Sequence, residues 1–220
     1  MITIVHLYPR ELGINGDVGN VMALTKRAQW RSMPVQVVDH YPGAALPSVA
    51  HLVHVGSGPV SAQQLVWDDL DRIAPVLREW ADAGVPFLAI AAGWQLLGRS
   101  VTALDGARRA GAGIFPTDAT LTERRTANEY WRDDVAGYVN YGAVTTADEG
   151  AVGELFEHGS SVATNLHGSF LPMNPAWADR LLSTAAGLAG VAMVEPDGRT
   201  IEVDERAALS RRDIRTRLGY

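Results

Sequence analysis

Three stretches of this 220-residue sequence carry residue types that could do chemistry, and they lie far apart along the chain. The first, "PFLAIAAGWQLLG" (86–98), is an apolar run that passes through Ala91-Ala92-Gly93 into a helical pattern. In an α/β protein a turn of this shape often mounts a nucleophile at its apex. Small residues there also let a ligand approach the backbone N–H groups, which could face an anion or oxyanion. The apex, however, offers only a methyl group, so a tight packing turn and an emptied active site both remain open. The second stretch, Gly56-Ser57-Gly58, is another small-residue loop after an apolar run, and reads as a plain loop or an anion cradle. The third is His167 in "NLHGSF", at a strand end with a glycine behind it. A structural histidine and a partly exposed acid–base group have the same signature.

Several chemistries are excluded by what the sequence lacks. It has no cysteine, which rules out disulfides, thiolate metal sites and a cysteine nucleophile. His51 and His54 sit three apart on a predicted strand and point to opposite faces. No HExxH, carboxylate-rich or Walker-type spacing appears, and neither a metal nor a cofactor is implied. The net charge of −6 argues against nucleic acid as the main partner, and the basic tail from Arg206 to Arg217 reads as a solvated helix face. No apolar run approaches the ~18 residues of a membrane span, and "MITIVHLYPR" has no basic-then-apolar signal pattern. A cytoplasmic protein without a membrane span is expected.

The elements that must position these stretches follow from hydrophobic periodicity. Strands are predicted at 2–8, 35–39, 51–55, 85–90 and 161–167. Helices are predicted over 18–30 and from a Ser61–Gln64 capping box to Gly84, with Leu65, Leu70, Ile73, Leu77 and Trp80 apolar. A short helix follows at 94–99, another opens at Asn174-Pro175 with Asn174 as N-cap, and a last one covers 204–218. Residues 111–144 read as short β-type segments with turns. Length and order predict one α/β domain over 1–220, a flavodoxin-like, doubly wound, mostly parallel sheet flanked by helices. In such sheets ligands sit at the carboxyl ends of the strands, where both small-residue turns fall.

Taken in order, these pieces resemble the class I glutamine amidotransferases, and within them the cobyric acid synthase-like group that contains the glutaminase subunit of lipid II isoglutaminyl synthase. The resemblance covers nearly the whole chain. It rests on "HLYPRELGINGDVGNVMALTKRAQWR" (6–31), "LAIAAGWQLLG" (88–98), "RRTAN" (124–128) and "LHGSFLPMNPAWADRLL" (166–182). It implies a class I amidotransferase fold and a cysteine thiolate that attacks the glutamine carboxamide, with a histidine as base and then acid. Carried over, the nucleophile falls on Ala91 and the histidine on His167. The oxyanion donors fall on Ala92 and on the loop that holds Gly56 and Gly58, while Gln95 and Arg125 are candidates for holding glutamine.

The acidic residue many class I enzymes carry two positions past the histidine is here Ser169, as the group leads one to expect. The implied partner is a Mur-ligase-like, ATP-dependent synthetase subunit that uses the released ammonia to amidate D-glutamate of a peptidoglycan precursor. With Ala91 at the nucleophile position, no glutamine hydrolysis is expected of this chain. An introduced Cys→Ala change and natural loss are both open. The family's Gly-Gly-Gly-Gln-Asp loop is Gly56-Ser57-Gly58-Pro59-Val60 here, its Glu-Asn-His-Gly-Gly is Val139-Asn140-Tyr141-Gly142-Ala143, and its elbow glycine is Ala92; these departures favour natural loss. The alternative function is then a pseudo-amidotransferase that binds and regulates the ligase. A flavodoxin-like small-molecule binder unrelated to amide transfer would make the GDVGN and LHG…NP stretches coincidence.

Overall fold

The first apolar run forms β1 (Ile2–Leu7) and leads through a loop to α1 (Val18–Trp30), β2 (Val35–His40) and β3 (Leu52–Val55). There follow α2 (Val60–Asp82), β4 (Phe87–Ile90), α3 (Ala92–Leu97), β5 (Ser100–Thr102) and β6 (Arg108–Ala110). The chain continues through β7 (Asp118–Arg132), β8 (Val135–Ala147), β9 (Gly150–Ala151), β10 (Leu155–His158), β11 (Ser161–Thr164) and β12 (Leu166–His167). It ends in α4 (Phe170–Met173), α5 (Pro175–Leu188) and α6 (Gly198–Arg217). This computed structural model describes every residue except Asn15, Gly168 and Ser169, and the side chains of Arg124 and Arg125.

The central sheet has the order β10-β11-β4-β3-β1-β2, parallel throughout except for the antiparallel edge strand β10. Its inner strands are buried on both faces because alternate side chains feed two apolar layers. Ile2, Ile4, Leu88 and Ile90 face α1 and α5 through Leu24, Ala28, Leu181 and Leu182. Val5, Leu7, Phe87 and Ala89 face α2 and α3 through Leu70, Leu77 and Trp94. The flavodoxin-like, mostly parallel layering is therefore as the sequence implies. At the sheet edge, Asp69 of α2 accepts hydrogen bonds from the Tyr8 hydroxyl (2.8 Å) and the Gly43 amide (2.8 Å), and its carboxylate lies 2.7 Å from His40 Nε2.

Several local expectations are corrected. Residues 111–144 are not short segments: β7 and β8 form one long antiparallel hairpin within a second sheet of order β12-β8-β7-β5-β6, with β9 on β8. Its two-residue turn, Asp133-Asp134, has both φ values positive (51° and 61°), the geometry of a type I′ hairpin. The predicted strand at 161–167 divides at Asn165, with β11 beside β4 and β12 beside β8. No capping box opens α2: Pro59 is the N-cap, Ser61 lies inside the helix, and Leu65 is 72% exposed. Asn174 is the N-cap of α5, as expected, with Pro175 at the first helical position, but its side chain makes no capping hydrogen bond. Its carboxamide instead pairs with the Ala136 amide (2.9 Å) and carbonyl (2.8 Å), pinning β8 to the helix layer. The basic tail helix begins earlier than expected, at Gly198, and is anchored by Arg217 to Glu129 and by Arg211 to the Met173 carbonyl (2.7 Å).

Candidate active site

The backbone at Ala91 turns sharply between β4 and α3, at φ 43° and ψ −99°. For an L-residue this lies outside the ordinary allowed regions, and the surroundings must enforce it. The Ala91 N–H donates to the Thr164 carbonyl of β11 (2.8 Å), and its own carbonyl accepts from the Gln95 amide (3.0 Å). Gly93 permits the turn to sit where it does: a Cβ there would come within 2.5 Å of the Val55 carbonyl oxygen and 2.7 Å of that of Gly56. No real side chain tolerates such an approach to backbone. This turn is therefore a strained strand-to-helix elbow pressed against the end of β3.

A cavity of about 440 Å³ opens over the elbow. Ala91, Ala92, Gln95 and Gly58 line it together with Ser57, Gln63, Asn140 and Tyr141. Four candidates singled out in the sequence thus share one wall. Gly56 is not among the lining residues. Its small size is used for packing, since a Cβ would come within 2.1 Å of the Leu12 carbonyl oxygen and 3.0 Å of Asp17 Cβ. His167 also does not line the cavity, and lies on β12 opposite Tyr138, three residues past the Thr164 that holds the elbow. The Arg125 side chain and Ser169 lie outside the described residues.

Asp17, which no sequence motif singles out for a role, lies at the centre of these parts. It is fully buried, its Oδ2 accepts from the Ser57 amide (2.7 Å), and its Oδ1 lies 3.9 Å from His167 Nδ1. One carboxylate thus braces the 56–58 loop and faces the imidazole, the position from which an acid orients a catalytic histidine. Its only signal in the sequence is its place in the GDVGN loop. Gln63, an inner position of the expected Ser61–Gln64 box, donates from Nε2 to Gln95 Oε1 (3.1 Å), both side chains being buried. Behind the site His54 is fully enclosed, with Nδ1 3.1 Å from the Leu88 carbonyl and Nε2 3.3 Å from that of Asp17. Burial, together with the neighbouring His6 ring at 5.3 Å, pushes its imidazole down to about 3. His54 is therefore a neutral structural group at ordinary pH, not a proton carrier. Among the described residues no group of three His, Cys, Asp or Glu side chains is arranged to hold a metal ion, and no helix is long and apolar enough to cross a membrane.

The arrangement joins a strained elbow, a histidine faced by a buried carboxylate, and a cavity lined by amides and small residues. Acyl transfer from a carboxamide uses such parts, given a nucleophile at the apex. Comparison with known proteins points the same way. The chain is 29% identical, over 97% of its length and 94% of the relative's, to the lipid II isoglutaminyl synthase (glutamine-hydrolyzing) subunit GatD of Staphylococcus aureus (strain N315). In fold it is similar to a crystal structure of a glutamine amidotransferase (TM-score 0.51, 15% identity, 85% of this chain and 99% of that one). It is likewise similar to the PurLQS structure from Thermotoga maritima (TM-score 0.52, 12% identity, 86% and 98%). The family described as the CobB/CobQ-like glutamine amidotransferase domain matches residues 3–175, and the chain belongs to that family.

Proposed function

We propose that this chain is a glutamine amidotransferase-type subunit whose cavity holds L-glutamine and whose elbow, carrying a methyl group, does not hydrolyse it. The observation that carries this reading is the backbone at Ala91. A non-glycine residue at φ 43°, ψ −99° costs on the order of 1–3 kcal/mol and persists only where its surroundings hold it. The elbow therefore keeps the geometry that presents a nucleophile, although the atom that would attack is missing. Without sulfur there is no thioester, and loss of a nucleophile from a unit of this kind costs many orders of magnitude in rate. Gln95 and the amides of Ala92 and, in the 56–58 loop, Gly58 are assigned to the ligand's carboxamide, and Arg125 to its charged end. His167, faced by Asp17, takes the acid–base position.

The partner assigned is a Mur-ligase-like, ATP-dependent synthetase in the cytoplasm, acting on D-glutamate of a peptidoglycan precursor. Nearly full-length similarity to a subunit of lipid II isoglutaminyl synthase supports this. The methyl at position 91 favours a second reading within the same frame, a natural pseudo-amidotransferase that binds and regulates a ligase fed by free ammonia.

The test is Ala91→Cys, assayed for ammonia release from glutamine with and without the co-expressed ligase. Measurable hydrolysis is expected, at least with the partner present. If the new cysteine neither hydrolyses glutamine nor is alkylated by a glutamine-mimicking electrophile, the pocket reading is wrong. A co-purified ligase that uses ammonium and ignores glutamine supports the regulatory reading, whereas a chain that captures no such ligase removes it.

A further inference from the structure

Glu154 lies just ahead of β10, outside the cavity and away from every motif read in the sequence. Its two carboxylate oxygens are divided between two parts of the site. Oε1 accepts from the Tyr141 hydroxyl of the cavity wall on β8 (2.7 Å). Oε2 accepts from Asn165 Nδ2 (3.0 Å), at the point where the chain leaves the central sheet for β12 and His167. Its backbone carbonyl joins the same place, accepting from the Thr164 hydroxyl (2.7 Å) and the Asn165 amide (2.9 Å). Thr164 is also the residue whose carbonyl holds the Ala91 amide.

We propose that Glu154 is a positioning residue that sets the Tyr141 wall of the cavity, on β8, against Thr164 and Asn165, where the chain passes from β11 to the β12 strand that carries His167. Tyr141 on β8 and Thr164 on β11 belong to different sheets, and past Asn165 the chain rejoins β8 in the short β12 pairing at Tyr138 and Val139. A carboxylate can accept from both neutral donors at once, and neither donor needs a countercharge. Leucine breaks both links. Glutamine can keep both, accepting from Asn165 through its carbonyl and donating to the Tyr141 oxygen, because a phenol also accepts. What the cavity binds rests on the function proposed above, whereas the tie itself does not.

Two measurements on the full-length chain separate these claims. In the first, Tyr141→Phe is made in the parent and in Glu154→Leu, and backbone amide resonances of residues 164–167 are followed by NMR. The change should move those resonances in the parent and leave them still in the Glu154→Leu background. Equal movement in both backgrounds, or none in the parent, would overturn the proposal. In the second, L-glutamine is titrated calorimetrically. Glu154→Leu should weaken binding at least about tenfold with the fold retained, and Glu154→Gln should recover it to within about threefold of the parent. Binding unchanged in a folded Glu154→Leu chain, or Glu154→Gln as weak as Glu154→Leu, would also overturn it. A parent chain that binds no L-glutamine defeats the functional reading alone, because the amide-shift comparison still reports on the tie.

Discussion

In the proposed function the elbow at residue 91 lacks only its reacting atom, and this sets what single substitutions should do. In an Ala91→Cys background, His167→Ala should lower glutamine hydrolysis by roughly 10²–10⁴-fold, the usual contribution of a positioned acid–base group. Asp17→Asn should cost less than that, because in the proposed function Asp17 orients the histidine and does not itself carry the proton. An amide also still accepts from the Ser57 amide, which Asp17 Oδ2 now does at 2.7 Å. Steady-state rates of the two double variants decide the order, and an Asp17→Asn loss larger than that of His167→Ala would reverse the assigned roles. The glycines show equally local logic with opposite signs. Gly93→Ala drives a Cβ to 2.5 Å from the Val55 carbonyl oxygen and should destabilise by about 1–3 kcal/mol. Gly187→Ala in α5 meets nothing within 4 Å and should stabilise by about 0.5–1 kcal/mol. Urea denaturation of both variants measures the contrast.

At the level of elements, the inner strands of the central sheet were legible because they are buried on both faces. Runs such as Ile2–Leu7 and Phe87–Ile90 are then apolar almost without a break. The long β7–β8 hairpin was not, since β8 breaks the alternation of a half-buried strand, with Ala136 and Gly137 adjacent and buried and Asn140 to Gly142 all half-buried, and its turn is Asp133-Asp134, without the glycine that usually marks a type I′ turn. The division of 161–167 at Asn165 was equally hidden. At the break, the carbonyl and carboxylate of Glu154, 11 residues away, accept from Asn165, a contact no local pattern encodes. The site was read to the same extent. Ala91, Ala92, Gln95 and Gly58 sit on small-residue turns that the sequence displays, and they share a cavity. Asp17, Gln63 and Tyr141 acquire their places only from long-range packing. Gln63 in particular carries no local signal, since a polar residue at the start of a helix usually faces water, and here it is buried against Gln95.

Across the molecule, the enclosed histidines of the central sheet predict how stability responds to acid. Burial lowers the imidazoles of His6 and His54 below the ordinary 6.5, that of His54 to about 3. The unfolded chain therefore binds protons that the folded chain excludes, and stability is greatest above about pH 6.5 and falls as pH drops toward 3. Each such group contributes a slope of at most about 1.4 kcal/mol per pH unit. Denaturation midpoints should decline between pH 7 and pH 5, before most carboxylates titrate, and a flat profile there would count against two enclosed neutral imidazoles. Another buried group ties distant parts of the chain together. Arg27 of α1 is 3% exposed and pairs with Asp179 (2.6 Å) and Asp204, 152 and 177 residues further on. A nascent chain leaving the ribosome therefore presents this guanidinium long before either carboxylate has been synthesised, and burying it alone is costly. Burial of this guanidinium at no uncompensated charge requires α5 and α6 to be in place, and α6, beyond the residues 3–175 shared with the family, supplies one of the two carboxylates.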